Sequence, residues 1–213
     1  MSPYEIKLVV FDLNKTLIRE NTWYNLNLAL GVTKEEDADI MARYDQGLIS
    51  YAQSQKILEQ LYLERSRPTL SQIQKIIFQY HYLPGAKSII KLLLSRGYFV
   101  ALISGSIDLL VEKVAQELNI PLYGAHNRFV FDQKGNFQQI ICDGDDTDFK
   151  LRLFRRFCRQ LDISPQSAVC VGDGDNDQKI FLESRHGITF SNSRLAATSW
   201  KTISRLMDLK LFL

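Results

Sequence analysis

Two short apolar runs in this chain end in carboxylates. Val9-Val10-Phe11 leads into Asp12, with Asn14 and Thr16 just behind it. Val169-Cys170-Val171-Gly172 leads into Asp173, followed by Asp175, Asn176 and Asp177. Each run reads as a buried strand whose C-terminal tip carries acidic groups, and in open α/β sheets that edge is where ligands bind. Two such tips side by side would gather several carboxylate oxygens around one point, a donor set suited to a hard cation such as Mg2+. A calcium loop over Asp173–Asp177 is the competing reading. It lacks a bidentate glutamate at the twelfth loop position, where Ser184 stands.

Bringing those tips together needs a parallel sheet, and the rest of the chain supplies the pattern for one. Ile6 to Phe11 is an apolar run interrupted by Lys7, suited to a central strand. Ala86 to Arg96 has the apolar spacing of an amphipathic helix (Ile89, Ile90, Leu93, Leu94), closed by Gly97. Tyr98 to Ile103 is a second strand ending in Ser104-Gly105-Ser106, and Ile107 to Leu118 is helical. Phe129 to Phe131 and Phe137 to Ile141 flank the turn-rich Asp132–Asn136, which predicts a hairpin. Phe149 to Leu161 (helix), Ala168 to Val171 (strand), Gln178 to Ser184 (helix) and Ile188 to Phe190 (strand) complete the alternation. Repeated strand–helix units imply right-handed crossovers and an α/β class. Specifically, the reading is a Rossmann-like parallel sheet core with helices on both faces. From about Arg19 to Leu83 there are no strand-like runs, and apolar residues recur at helical spacing (Ile57, Leu58, Leu61; Ile73, Ile76, Ile77). The expected organisation is a core of residues 1–18 and 84–213 and a small all-helical cap of residues 19–83 inserted after the first strand.

Composition narrows the partners. The 213 residues are 46% hydrophobic and 23% charged, and the net charge is +2. That balance gives a packed globular protein and no case for nucleic acid or an anionic membrane as partner. No apolar stretch approaches the roughly 18 residues needed to span a bilayer. Cys142, Cys158 and Cys170 are far apart and form neither a disulfide framework nor a zinc spacing. With no signal-peptide pattern at the start, a cytoplasmic location is expected.

The set Phe11-Asp12-Leu13-Asn14-Lys15-Thr16-Leu17, Ile103-Ser104-Gly105-Ser106, Lys150 and Gly172-Asp173-Gly174-Asp175-Asn176-Asp177 resembles, in order and context, the motifs of the haloacid dehalogenase-like (HAD) phosphatases. The resemblance runs from Ile6 to about Phe190. It implies Asp12 as a nucleophile that forms an aspartyl-phosphate, and Lys150 as the ammonium that neutralises it and the phosphoryl group. It implies phosphate contacts from Thr16, Ser104, Gly105, Lys150 and Asn176. It also implies Mg2+ held by Asp12, Asp173 and the carbonyl of Asn14, with Asp177 supporting from behind. The substrate class would be a small phosphorylated molecule.

A helical insert in this position is typical of the phosphoserine phosphatase-like branch, where the cap closes over the cleft and chooses the organic group. In that branch a Glu nine residues after the nucleophile and an Arg in the cap hold the amino acid. Here those positions carry Asn21 and Leu58, so phosphoserine loses its ion-pair partners. Glu20, Asn21 and Tyr51 become the candidate cap residues for specificity, and Trp23, Tyr24 and Tyr51 either line a pocket or form cap core. Asn14 is the other departure. The family motif has an Asp there as general acid and base, and losing that function costs roughly 10²–10⁴-fold in rate. Two readings follow. One is an engineered, near-isosteric substitution that slows or traps an active phosphatase, favoured by retention of every other motif residue. The other is a natural non-hydrolytic member that binds phosphorylated ligands or regulates. Dehalogenase members also lack this Asp but use no Mg2+, and Asp173 with Asp177 argues against that chemistry.

Overall fold

The computed structural model describes residues 5–213. Its centre is a seven-stranded sheet in the order β4-β3-β2-β1-β5-β6-β7. The strands are β1 (Leu8–Phe11), β2 (Phe99–Ile107), β3 (Leu122–Phe131), β4 (Phe137–Ile141), β5 (Ala168–Val171), β6 (Gly187–Phe190) and β7 (Lys201–Ile203). All neighbours are parallel except β3 and β4. β1 lies between β2 and β5, so the chain leaves it in one direction and later returns on its other side. That switch point opens a crevice at the C-terminal edge.

Alternation along β1 sorts the two layers. Val9 and Phe11 join one buried cluster with Ile89 and Leu93 of α5 (Ala86–Ser95) and Leu110 and Val114 of α6 (Asp108–Leu118). Leu8 and Val10 join another, with Phe154 and Phe157 of α7 (Asp146–Gln160) and Ile180 and Phe181 of α8 (Gln178–Ser184). Helices therefore cover both faces, the arrangement that near-continuous apolar strands require.

Between β1 and α5 stand four helices: α1 (Thr22–Ala29), α2 (Lys34–Asp45), α3 (Tyr51–Arg65) and α4 (Leu70–Ile77). α2, α3 and α4 open with a full capping box, on Thr33 with Glu36, Ser50 with Gln53 and Thr69 with Gln72. The two chain connections to this block run side by side. Arg19 N–H donates to His81 O at 2.9 Å and Leu83 N–H to Leu17 O at 2.8 Å, with Ile18 bridged to Tyr82. Among the described residues no helix is long and apolar enough to cross a membrane.

Four segments differ from the sequence expectation. β2 continues through Ser104-Gly105-Ser106 to Ile107, with its register against β3 shifting there, so α6 starts only at Asp108. The hairpin exists, but its first strand is longer. Leu122 to Asn127 pairs parallel with β2 before Arg128 to Phe131 pairs antiparallel with β4. α7 begins at Asp146, capped by Asp145 accepting from Thr147 N–H, one turn earlier than the apolar spacing suggested. β7 was not expected from the sequence; it joins the sheet edge through three residues.

A buried polar chain holds the helical block together. Tyr62 Oη on α3 donates to Asn27 Oδ1 on α1, and Asn27 Nδ2 donates to Asp37 Oδ1 on α2 at 2.6 Å. Tyr62 is fully buried and Asn27 nearly so. Tyr62→Phe should lower unfolding stability by about 1–3 kcal/mol, because it leaves Asn27 Oδ1 without its donor. An unchanged urea midpoint would show that the amide is held by other means.

Candidate active site

The tips of β1 and β5 meet as the spacing of their carboxylates required. Asp12 N–H extends the ladder to Val171 O at 2.9 Å, which puts Asp12 beside the loop that carries Asp173. One oxygen from each of Asp12, Asp173 and Asp177 lies within 4.8 Å of the others. Lys150 reaches into this cluster from the second turn of α7. Its Nζ donates to Asp12 Oδ1 at 2.8 Å, Asp177 Oδ1 at 2.7 Å and Asn176 Oδ1 at 3.2 Å, and the residue is fully buried.

The electrostatics follow from burial and neighbours. Burial alone would pull the Lys150 ammonium down, but Asp12 and then Asp177 outweigh it and push the group above its ordinary range. Asp173 has no such cation in contact. Burial, followed by the charge of Asp12, pushes its carboxyl up to about 6, against weaker opposing pulls from Lys15 and Lys150. A carboxylate-rich, all-oxygen point that is short of positive charge fits Mg2+.

Other side chains close the rim. Asn14 Oδ1 accepts from Thr22 Oγ1 at 2.8 Å and Thr22 N–H at 3.2 Å. The backbone N–H can only donate, so the amide is oriented, and Nδ2 is the atom left for a ligand. Ser104 Oγ accepts from Ser106 N–H at 3.2 Å, which leaves its own proton free to donate. Gly105 is forced by Asp146: a Cβ there would lie 2.2 Å from Asp146 Oδ2. Its carbonyl receives Trp23 Nε1 from α1 at 3.1 Å and Asn127 Nδ2 from β3 at 2.8 Å. Gly172 is constrained in the same way, with Asp177 Oδ2 at 2.2 Å from a Cβ.

Asp12, Asn14, Ser104, Gly105, Asp173 and Asn176 line one cleft, together with Asn21 and Tyr51 from the helical block. Four expected residues lie outside the cleft wall: Glu20, Thr16, and the fully buried Lys150 and Asp177 of the cluster. Glu20 is turned to the paired chain connections, where its carboxylate takes His81 N–H at 2.9 Å and His81 Nδ1 at 2.8 Å, so it does not join the cleft wall. Thr16 is fully buried beside Asp173 and also outside the cleft wall. Its hydroxyl meets no hydrogen-bond partner among the described residues.

The sequence reading missed a ring of side chains that braces the cluster from behind. His126 is stacked between Tyr51 and Phe149 with ring centroids 4.7 Å away on each side. Its Nδ1 lies 3.2 Å from Asp146 Oδ1, and Asn176 Nδ2 donates to the other Asp146 oxygen. Although burial raises Asp146, the contacts with His126, Lys150 and Asn176 hold it below the usual carboxylate range. Tyr44 Oη donates to Asp145 Oδ2 at 2.8 Å, a second tie from the helical block to the start of α7. The one sequence signal for this bracing was the acidic Asp145-Asp146-Thr147-Asp148, a helix N-terminus signature.

Comparison with known proteins identifies relatives of this fold. The family model of the haloacid dehalogenase-like hydrolases matches residues 9–181. The phosphoserine phosphatase of Archaeoglobus fulgidus is 27% identical over 90% of this chain, which spans 56% of that protein's length. The phosphoserine phosphatase of Methanocaldococcus jannaschii is 28% identical over 86% of this chain and 85% of its own. A solved structure described as a phospho-aspartyl intermediate analogue of phosphoserine phosphatase superposes with a TM-score of 0.81 at 25% identity, covering 98% of this chain and 99% of that one.

Lys150 offers a direct test of the site's electrostatics. Lys150→Met should cost about 3–5 kcal/mol at neutral pH, because Asp12 and Asp177 would stay buried without their cation. Part of that loss should return as the pH falls. Burial raises the unpaired carboxyl above its unfolded value, so the penalty is small in acid and grows as the pH rises through the folded-state value. Urea unfolding of both proteins between pH 4 and pH 8 checks this, and a loss below about 1 kcal/mol at neutral pH would remove Lys150 from its structural role.

Proposed function

The chain belongs to the haloacid dehalogenase-like hydrolases, and on that premise we propose that it is a Mg2+-dependent phosphomonoesterase acting through Asp12. The observation that supports this most is the Asp12–Lys150–Asp177 bridge with Asp173 beside it at the switch point of the sheet. In this reading Asp12, Asp173 and the main-chain carbonyl of Asn14 hold the metal, which supplies positive charge to the phosphoryl oxygens when bound. Asp12 attacks phosphorus, the P–O bond to the alcohol breaks with its electron pair going to the alcohol oxygen, which takes a proton from solvent water, and an aspartyl-phosphate forms. Lys150, Ser104 and the loop at Gly105 hold the transferring group by charge and hydrogen bonds. Attack of water on phosphorus then frees Asp12 and releases phosphate. The block of residues 19–83 acts as a cap over this chemistry, hinged at the paired connections Leu17–Glu20 and His81–Gly85, and keeps bulk water from the phosphoenzyme.

Residue 14 sets the rate. An Asn14 amide can donate from Nδ2 to a phosphoryl or leaving oxygen, but it can neither protonate the alcohol nor take a proton from water. The reading is therefore a slowed enzyme. The oriented amide favours a second reading, a protein that binds phosphorylated ligands without turning them over, since Thr22 holds Asn14 in a donor-presenting position.

Asn14→Asp should raise turnover of small phosphate esters by about 10²–10⁴-fold, as seen by phosphate release with Mg2+ across a panel of esters. No gain on any ester would favour the binding protein. The metal should also show a pH signature. Mg2+ raises the melting temperature by linkage, and that rise should shrink as the pH falls through about 6, where protons compete for Asp173. A Mg2+ shift that is flat from pH 5 to pH 8 would place the ion elsewhere.

A further inference from the structure

The cleft has a second end, built by the helical block and chemically unlike the first. α2 presents Asp37, Met41 and Tyr44 to it, and α3 presents Tyr51, Gln55 and Leu58, each set one helical stripe. Tyr51 marks the phosphate side, because its hydroxyl receives Asn127 Nδ2 at 2.7 Å and the same amide holds the Gly105 carbonyl. Gln55 lies one turn further along α3, roughly 6 Å deeper.

Two features of that inner end are unusual together. Among the cleft-lining residues from Asn21 to Leu58 there is no Lys, Arg or His, while Asp37 and Asp45 contribute carboxylates. Separately, Gln55 is only 7% exposed and no donor among the described residues reaches its Oε1, while its Nε2 is turned to Ser54 Oγ at 3.4 Å. A buried acceptor without a donor is costly, and a ligand that brings one is favoured by the same amount.

Resting on the phosphomonoesterase reading above, we propose that the cleft selects the phosphate ester of an amino alcohol that lacks a carboxylate, with Gln55 as the specificity-determining residue accepting a hydrogen bond from its ammonium group. A hydroxyl could also donate to Gln55. The carboxylates of Asp37 and Asp45, with Trp23, Tyr24 and Tyr44 also lining the cleft, favour a cation. The cations that line the cleft, Lys15, Lys179 and Arg194, come from the core, and the wall from Asn21 to Leu58 offers none to a carboxylate on the ester. The distance of one helical turn from the phosphate side matches a short aminoalkyl chain.

Calorimetric titration of the full chain with Mg2+ tests this, using phosphoethanolamine, ethyl phosphate, phosphoserine and inorganic phosphate as probes. Phosphoethanolamine should bind about tenfold or more tighter than ethyl phosphate, the gain expected of one charged hydrogen bond, and tighter than phosphoserine. Gln55→Met should bring phosphoethanolamine down to the level of ethyl phosphate and leave inorganic phosphate unchanged. Equal binding of phosphoethanolamine and ethyl phosphate to the parent chain, or tighter binding of phosphoserine, overturns the proposal, whatever the variant does. If inorganic phosphate itself fails to bind, the phosphomonoesterase reading falls instead.

Discussion

The structure depends on one buried ammonium. Lys150 is completely enclosed, and two carboxylates at 2.8 and 2.7 Å are what make that tolerable. An ion taken out of water costs several kcal/mol unless it is paired and hydrogen-bonded, so the pairing constrains everything that holds it. Asp12 must sit at the end of β1, Asp177 in the loop after β5, and α7 must pack against the sheet at the height that delivers Nζ between them. The amphipathic face of α7, with Phe154, Phe157 and Cys158 buried against β1 and β5, sets that height. The core therefore does more than cover the sheet. It fixes the position of a charge to within a hydrogen bond.

From that point the constraint spreads outward through Asp146. It occupies the first turn of α7, four residues before Lys150, and its carboxylate meets His126 and Asn176. His126 in turn stacks on Tyr51 of α3. A side chain of the helical block is thus linked, through His126, Asp146 and Asn176, to Lys150. The Gly105 carbonyl makes a second such link, shared between Trp23 of α1 and Asn127 of β3. Both links cross the cleft at its phosphate side.

What was legible in the sequence tracks how local each feature is. Asp12, Asp173, Asn176 and Lys150 could be found because strand tips and motif spacing are short-range signals, and the sheet then brings them together. The side chains that brace them could not. Thr22 meets Ser106 across 84 residues, Tyr51 meets Asn127 across 76, and Tyr44 meets Asp145 across 101. No periodicity records such pairs. β3 was half hidden for a related reason. Its middle carries Gly124, His126 and Asn127, which lower strand character locally, and at Gly124 a Cβ would meet the Leu153 side chain at 2.4 Å. The start of α7 was hidden by its own acidity, since Asp145 to Asp148 reads as a polar loop until the cap is seen. Glu20 shows the converse error. Its position in the chain suggested the cleft, but the antiparallel pairing of the two connections turns its carboxylate to His81.

Asn14 separates what the fold positions from what the chemistry needs. The donors that hold it, Thr22 N–H and Thr22 Oγ1, would serve a carboxylate oxygen as well as an amide oxygen. Nothing in the local geometry demands an amide, and the near-identical shape of Asp and Asn means that packing does not choose between them either. The difference falls entirely on the second atom, the one left for the ligand. As oxygen it can exchange a proton with the leaving alcohol and then with water. As Nδ2 it can only donate, which favours an oxygen-rich group resting in the site and does nothing to move a proton. On the phosphomonoesterase reading, binding and hydrolysis would rest on different parts of the structure: the buried Lys150 bridge, Asp173 and the cleft wall would serve binding, and a single atom on residue 14 would decide whether what is bound is hydrolysed.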